Sequence, residues 1–275
     1  KAHGCKLMTC HVLRYAPFYR KIKELLLDGE IGEIINIRTD ERVGVFHSSV
    51  SYIRGKWKSE KICGSSLLLA KCCHDIDLLC WLNEDSSPAQ VFSYGGRNFV
   101  VPEKAPKGAG TRCLVDCPQK VRDRCIYDVQ SMYLDNCLLP WYPWQCTGKN
   151  YQDVTMEEKI ESLKTYNPHG VCAYKAGGDI VDHQNVVVKF RNGSTAEHTL
   201  ILSGTLGEIE GNVEDGIFFL RKYDKKTSTY TERRFDFNDT EGETGGHFGG
   251  DRGLVSDFCG VMLGKKPSFS YTSIE

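Results

Sequence analysis

The feature that most constrains this chain is a run of hairpins in its C-terminal half. Val186-Val187-Val188-Lys189-Phe190 reads as a strand, Asn192-Gly193 turns the chain, and residues 195–202 return. Asn-Gly is a strong short hairpin signal because both positions tolerate positive φ. The flanking Arg191 and Ser194 would lengthen that loop. A second pair follows, with residues 216–223 and 229–237 joined by a polar turn through Asp224-Lys225-Lys226. Strands linked by hairpins lie antiparallel. The expected class is therefore α+β, a large, mainly antiparallel mixed sheet with helices packed on one face, and not a doubly wound parallel sheet.

The other elements are read from periodicity. Residues 7–13 form a short apolar stretch, expected as a strand, before a helix that begins at Pro17 and carries Phe18, Ile22, Leu25 and Leu26 at helical spacing. Gly29 follows as its C-cap and Gly32 reopens the chain. Residues 34–43 alternate as a strand, residues 67–82 are apolar and long enough for one helix, and residues 89–94 suit another strand. Residues 95–112 are rich in Gly and Pro and read as a loop, and residues 118–135 as a helix. Thr155-Met156-Glu157-Glu158 is a capping-box pattern before a further helix, and residues 251–263 close the series as a helix.

Composition excludes several classes. The chain has 275 residues, with 35 basic and 36 acidic side chains, so the basic excess of a general nucleic-acid binder is missing. No apolar run approaches the ~18 residues of a spanning helix, and the first residues lack a signal-peptide pattern, so no membrane partner is expected. Thirteen cysteines without an export signal read as reduced thiols in a cytoplasmic protein, some of them candidates for metal binding.

The strongest chemical cluster lies in residues 69–82, where Lys71, His74, Asp75 and Asp77 interrupt an apolar segment. On one continuous helix, Lys71, His74 and Asp77 would line a single rim. His exchanges a proton near neutral pH, Asp orients it or titrates, and a half-buried Lys can be lowered enough to act as an acid. The competing reading is an ion-pair network on an amphipathic helix. A dinucleotide fingerprint, Gly-x-Gly-x-x-Gly between strand and helix, is not found in the sequence.

Several stretches, in order, resemble the glucose–fructose oxidoreductase, inositol dehydrogenase and rhizopine-catabolism (Gfo/Idh/MocA) family. Arg14-Tyr15-Ala16-Pro17 with Leu27-Asp28-Gly29-Glu30-Ile31-Gly32 looks like that family's interdomain junction. Arg54-Gly55-Lys56-Trp57 and Lys71-Cys72-Cys73-His74-Asp75-Ile76-Asp77 resemble its active-site region. Residues 204–211 and His247-Phe248-Gly249-Gly250-Asp251 resemble its late strand motif and the start of its last helices.

The resemblance implies a C-terminal substrate-binding and dimerisation domain over residues 31–275, with residues 1–30 as the remnant strand and helix of a Rossmann domain. It implies an NAD- or NADP-dependent oxidoreductase acting on a hydroxyl of a sugar, polyol or cyclitol, homo-oligomeric through its sheet. This fragment alone is expected to bind no dinucleotide and to be inactive. His74 carries over as the proton-transfer residue, with Lys71 and Asp77 as catalytic candidates. The family's common Asp four residues before that His is Ala70 here. Arg54, Trp57, Asp182 and His183 are the substrate-binding candidates, and Arg14 and Tyr15 the cofactor-facing ones. Strand alternation would put Asp182 and Gln184 on one side and His183 on the other. His247 with Asp251 reads more plainly as a loop residue and a helix N-terminal carboxylate. Cys113, Cys117, Cys125 and Cys172 are candidates for a closed structural zinc site. Two rival readings stand beside this one: an NAD-dependent glycoside hydrolase of the same family, and a non-catalytic dimerisation or scaffold domain.

Overall fold

The computed structural model describes residues 7–41, 43–197, 201–204, 206–224, 229–238 and 246–272. Two compact units emerge. The first comprises residues 1–41, 73–93 and 186–275, and the second residues 42–72 and 94–185.

The first unit holds most of an eight-stranded sheet. Its strands are β1 Ile34–Arg38, β2 Pro88–Gly96, β3 His183–Phe190, β4 Thr195–Glu197, β5 Ile201–Gly204, β6 Gly207–Asn212, β7 Ile217–Asp224 and β8 Thr229–Asp236, in the order β2-β3-β4-β1-β5-β6-β7-β8. Only β1 with β4 is a parallel pair among the strand registers described, so the sheet is mixed and mainly antiparallel, as the hairpin pattern requires. The Asn192-Gly193 turn joins β3 to β4, with Gly193 at φ 90°. Residues 225 and 226 of the second expected turn lie outside the described residues.

A helix at Pro17–Leu27 packs on this unit. Pro17 occupies its first turn, where a missing N–H costs nothing. At its end the Glu30 N–H donates to the Leu25 carbonyl and the Gly29 N–H to that of Leu26, a Schellman closure with Gly29 at φ 69°. Phe18 meets Phe218 edge-on at 5.3 Å, and Phe218 stacks on Phe235 at 4.7 Å. The expected strand over residues 7–13 shrinks to a single bridge at Met8 before a 3-10 turn at Val12–Tyr15.

The second unit is built from short helical turns around Val50, Ile53, Tyr133, Trp144 and Leu163. The capping box forms as the sequence indicates: Thr155 accepts from the Glu158 N–H, and Glu158 accepts from the Thr155 N–H, before the helix Met156–Lys164. The expected helix over 118–135 breaks into Gln119–Arg122 and a turn at Gln130–Asp135. No helix among the described residues is long and apolar enough to cross a membrane.

Candidate functional site

The segment 67–82 does not fold as one helix. Leu67–Ala70 ends at Lys71, whose φ of −124° and ψ of −53° depart from helical values, and a new helix runs Cys73–Leu82. Lys71 therefore does not share a continuous helical face with His74 and Asp77, and it falls in the second unit. His74 opens the new helix, and Asp77 lies one turn on.

Around His74, the first unit gathers two further imidazoles. The His11 ring meets it edge-on with centroids 6.2 Å apart, and the His247 ring lies tilted to it at 6.0 Å. Each outer imidazole has a carboxylate. His11 Nε2 is 3.5 Å from Asp77 Oδ1, and His247 Nδ1 is 3.0 Å from Asp251 Oδ1. Such a pairing orients an imidazole. His11 was not singled out from sequence; its one signal was a position three residues before Arg14.

Arg14 and Tyr15 are spent inside the unit. Arg14 grips Asp77 bidentately, Nε to Oδ2 at 2.7 Å and Nη2 to Oδ1 at 2.5 Å. The Tyr15 hydroxyl donates to Asp257 Oδ2 at 2.9 Å. Burial, then that hydrogen bond, holds the Tyr15 phenol well above its ordinary range. In this structure Arg14 is therefore engaged with Asp77 and Tyr15 with Asp257. Tyr15 and Asp257 also line a groove of about 480 Å³ with Arg20, Lys265 and Lys266.

The remaining candidates lie in the second unit. Arg54, expected at a substrate, is only 1% exposed. It donates to the carbonyls of Val171 at 2.7 Å and Tyr127 at 2.8 Å, and to Ser49 Oγ at 2.6 Å. It is a core cation whose donors tie three chain segments together, with no face left for a polyol. Trp57 is half-buried, with the Lys56 ammonium 5.2 Å from its ring centre. Asp182 accepts from the backbone N–H groups of Asn98, Phe99 and Val100, and its Oδ1 pairs with His183 Nδ1 at 2.9 Å. Burial would raise this carboxyl, but the His183 hydrogen bond and the backbone donors outweigh it and hold the group below its ordinary value. The expected alternation between Asp182 and His183 fails because β3 begins only at His183.

The four cysteines do not assemble as expected. Cys113, Cys117, Cys125 and Cys172 are thiols, and burial pushes those of Cys113 and Cys125 upward, toward the protonated form. Among the described residues, no group of three or more His, Cys, Asp or Glu side chains is placed to hold a metal ion. The zinc expectation is corrected accordingly, since a closed tetrahedral site requires four converging thiolates. What fixes this loop instead is a backbone bridge between Arg112 and Val171, flanked by the Cys113 N–H on Gly170 and the Cys172 N–H on Thr111.

Comparison with known proteins bears on these observations. Residues 19–116 match the GFO/IDH/MocA C-terminal domain family. YteT of Bacillus subtilis (strain 168), provisionally named an oxidoreductase, is 28% identical over 98% of this chain and 63% of its own length. An oxidoreductase domain protein from Kribbella flavida shares the fold at TM-score 0.55 and 15% identity, covering 98% of this chain and 61% of its own. Levoglucosan dehydrogenase, solved with NADH and levoglucosan, does so at TM-score 0.51 and 15% identity, covering 95% and 58%. The chain thus spans about three-fifths of the length of these relatives. Residues 19–116 thus resemble the GFO/IDH/MocA C-terminal domain, and the chain is similar along nearly its whole length to a Bacillus subtilis protein provisionally named an oxidoreductase.

Proposed function

We propose that this chain is the substrate-binding part of an NAD(P)-dependent oxidoreductase that acts on a hydroxyl group of a sugar, polyol or cyclitol. The carrying observation is His74, with two imidazoles within 6.2 Å that are each backed by a carboxylate. That arrangement suits a group that takes a proton from a hydroxyl and gives it back. The likeness of fold to levoglucosan dehydrogenase supports a carbohydrate-type substrate.

The chain's own share is positional and protic. Asp77, locked by Arg14, fixes the first turn of the helix that carries His74. His74 holds the hydroxyl proton during oxidation and returns it during reduction. A nicotinamide cofactor, when bound, would accept or supply the hydride.

The experiment is a substrate screen with the full-length protein, NAD or NADP, and a panel of pyranoses, anhydrosugars, linear polyols and inositols. Net formation of the reduced cofactor with any of these supports the reading. Release of free sugar from glycosides without net cofactor reduction would replace it with the hydrolase reading.

A further inference from the structure

The geometry points to His247, paired with Asp251, as a relay that carries the proton between His74 and solvent. This rests on the reading of His74 as the proton-transfer group, but its test does not require turnover. Two independent observations carry it. The first is the ring placement, with His247 6.0 Å from His74 and hydrogen-bonded to Asp251. The second is the backbone that puts it there.

His247 and Phe248 have φ of 51° and 56°, the only non-glycine residues with positive φ among those described. A non-glycine side chain in this region is strained, and an observed outlier of this kind is grounds for a functional hypothesis. Here two in succession turn the chain so that the His247 ring faces His74 while its side chain remains 51% exposed. Packing does not account for the strain, because Phe248 is itself exposed. His11 is no alternative exit: its Nδ1 is enclosed with no hydrogen-bond partner and its Nε2 faces Asp77.

The relay balances simply. His74 accepts the substrate proton and becomes imidazolium. The rings lie 6.0 Å apart by centroid, and the proposed path between them runs through one bridging water. Through it, the proton passes to Nε2 of neutral His247, whose Nδ1–H donates to Asp251. His247 then releases the proton to bulk water and both imidazoles are neutral again. The charged and titratable groups near His74 in space or on its helix are His11, Arg14, Asp75, Asp77, His247 and Asp251, and among these ion pairs His247 and Asp251 are the more exposed, at 51% each.

The test is the rate at which the His74 ring N–H exchanges with water, read by 15N-edited exchange spectroscopy on the 275-residue chain. In His247→Asn, which tolerates the same left-handed backbone, that rate should fall roughly tenfold, and added imidazole buffer should restore it. Asp251→Asn, which leaves His247 in place, should slow exchange by a smaller factor. An unchanged His74 exchange rate in His247→Asn, or slowing that imidazole does not reverse, would overturn the relay. If His74 proves dispensable for turnover in the full-length enzyme, the catalytic reading fails while this exchange measurement still reports on the relay itself.

Discussion

Arg14 and Asp77, 63 residues apart, form a two-pronged ion pair at 2.7 and 2.5 Å, with side chains only 13% and 9% exposed. The pair fastens the turn before the first long helix to the helix that presents His74. The Arg14 guanidinium also lies 5.7 Å from the Trp81 ring centre, on the same helix, so charge and packing act together. Arg14 thereby clamps the helix that carries His74.

Breaking that clamp on one side should be costly. Asp77→Asn leaves a nearly buried guanidinium without its counter-charge and should destabilise the first unit by roughly 3 kcal/mol. Replacing both partners, as in Arg14→Met with Asp77→Leu, should recover much of that loss. Urea denaturation of the three proteins measures it. An equal or larger loss in the double variant would refute the account of the pair.

The Arg54 cluster yields a second expectation. Its guanidinium serves two carbonyls and a hydroxyl from inside the core, a fork that an ammonium cannot reproduce. Arg54→Lys should therefore destabilise the second unit by roughly 2–3 kcal/mol. Hydrogen exchange should show the loss among residues 127–133 and 171–173. A purely substrate-binding Arg54 would leave exchange there unchanged.

His169 makes the second unit sensitive to acid. It is buried, its Nε2 lies 3.1 Å from the Val50 carbonyl, and its pKa is lowered to about 4, chiefly by burial, with Arg54 adding to the effect. The ordinary value is 6.5, so between about 4 and 6.5 the unfolded chain binds more protons than the folded one. Stability is thus fully present above pH ~6.5 and falls as pH drops toward ~4, by roughly 3 kcal/mol in all. Denaturation midpoints of wild type and His169→Gln across that range should converge at low pH. Parallel curves would contradict this assignment.

Much of this architecture was legible in the residues, for local reasons. Pro17 and Gly29 bracket a helix, Thr155 and Glu158 close a capping box, and Asn192-Gly193 sets a hairpin; each signal is satisfied by neighbours in sequence. What stayed hidden depends on distant partners. The break at Lys71 has no Gly or Pro to announce it. Arg54 is buried because carbonyls 73 and 117 residues away accept from it, which no local pattern encodes. Asp182 was read by alternation, but three backbone donors from residues 98–100 set its place. His11 entered the site only through contact with His74 and Asp77.

Gly29 offers a clean conformational test. A Cβ there would meet nothing within 4 Å, so only the backbone angle of 69° opposes a side chain. Gly29→Ala should cost about 1 kcal/mol, and Gly29→Asn less, because Asn tolerates the left-handed region. Thermal denaturation would show it, and equal losses for both variants would point to a steric cause.

The role of His74 is tested most directly by turnover of the full-length enzyme, with whichever hydroxyl substrate of the panel reduces its cofactor, comparing wild type and His74→Ala. The account predicts a fall in kcat of roughly 10²–10⁴-fold, with cofactor affinity by calorimetry essentially unchanged. An unaltered kcat in a folded His74→Ala enzyme would contradict it.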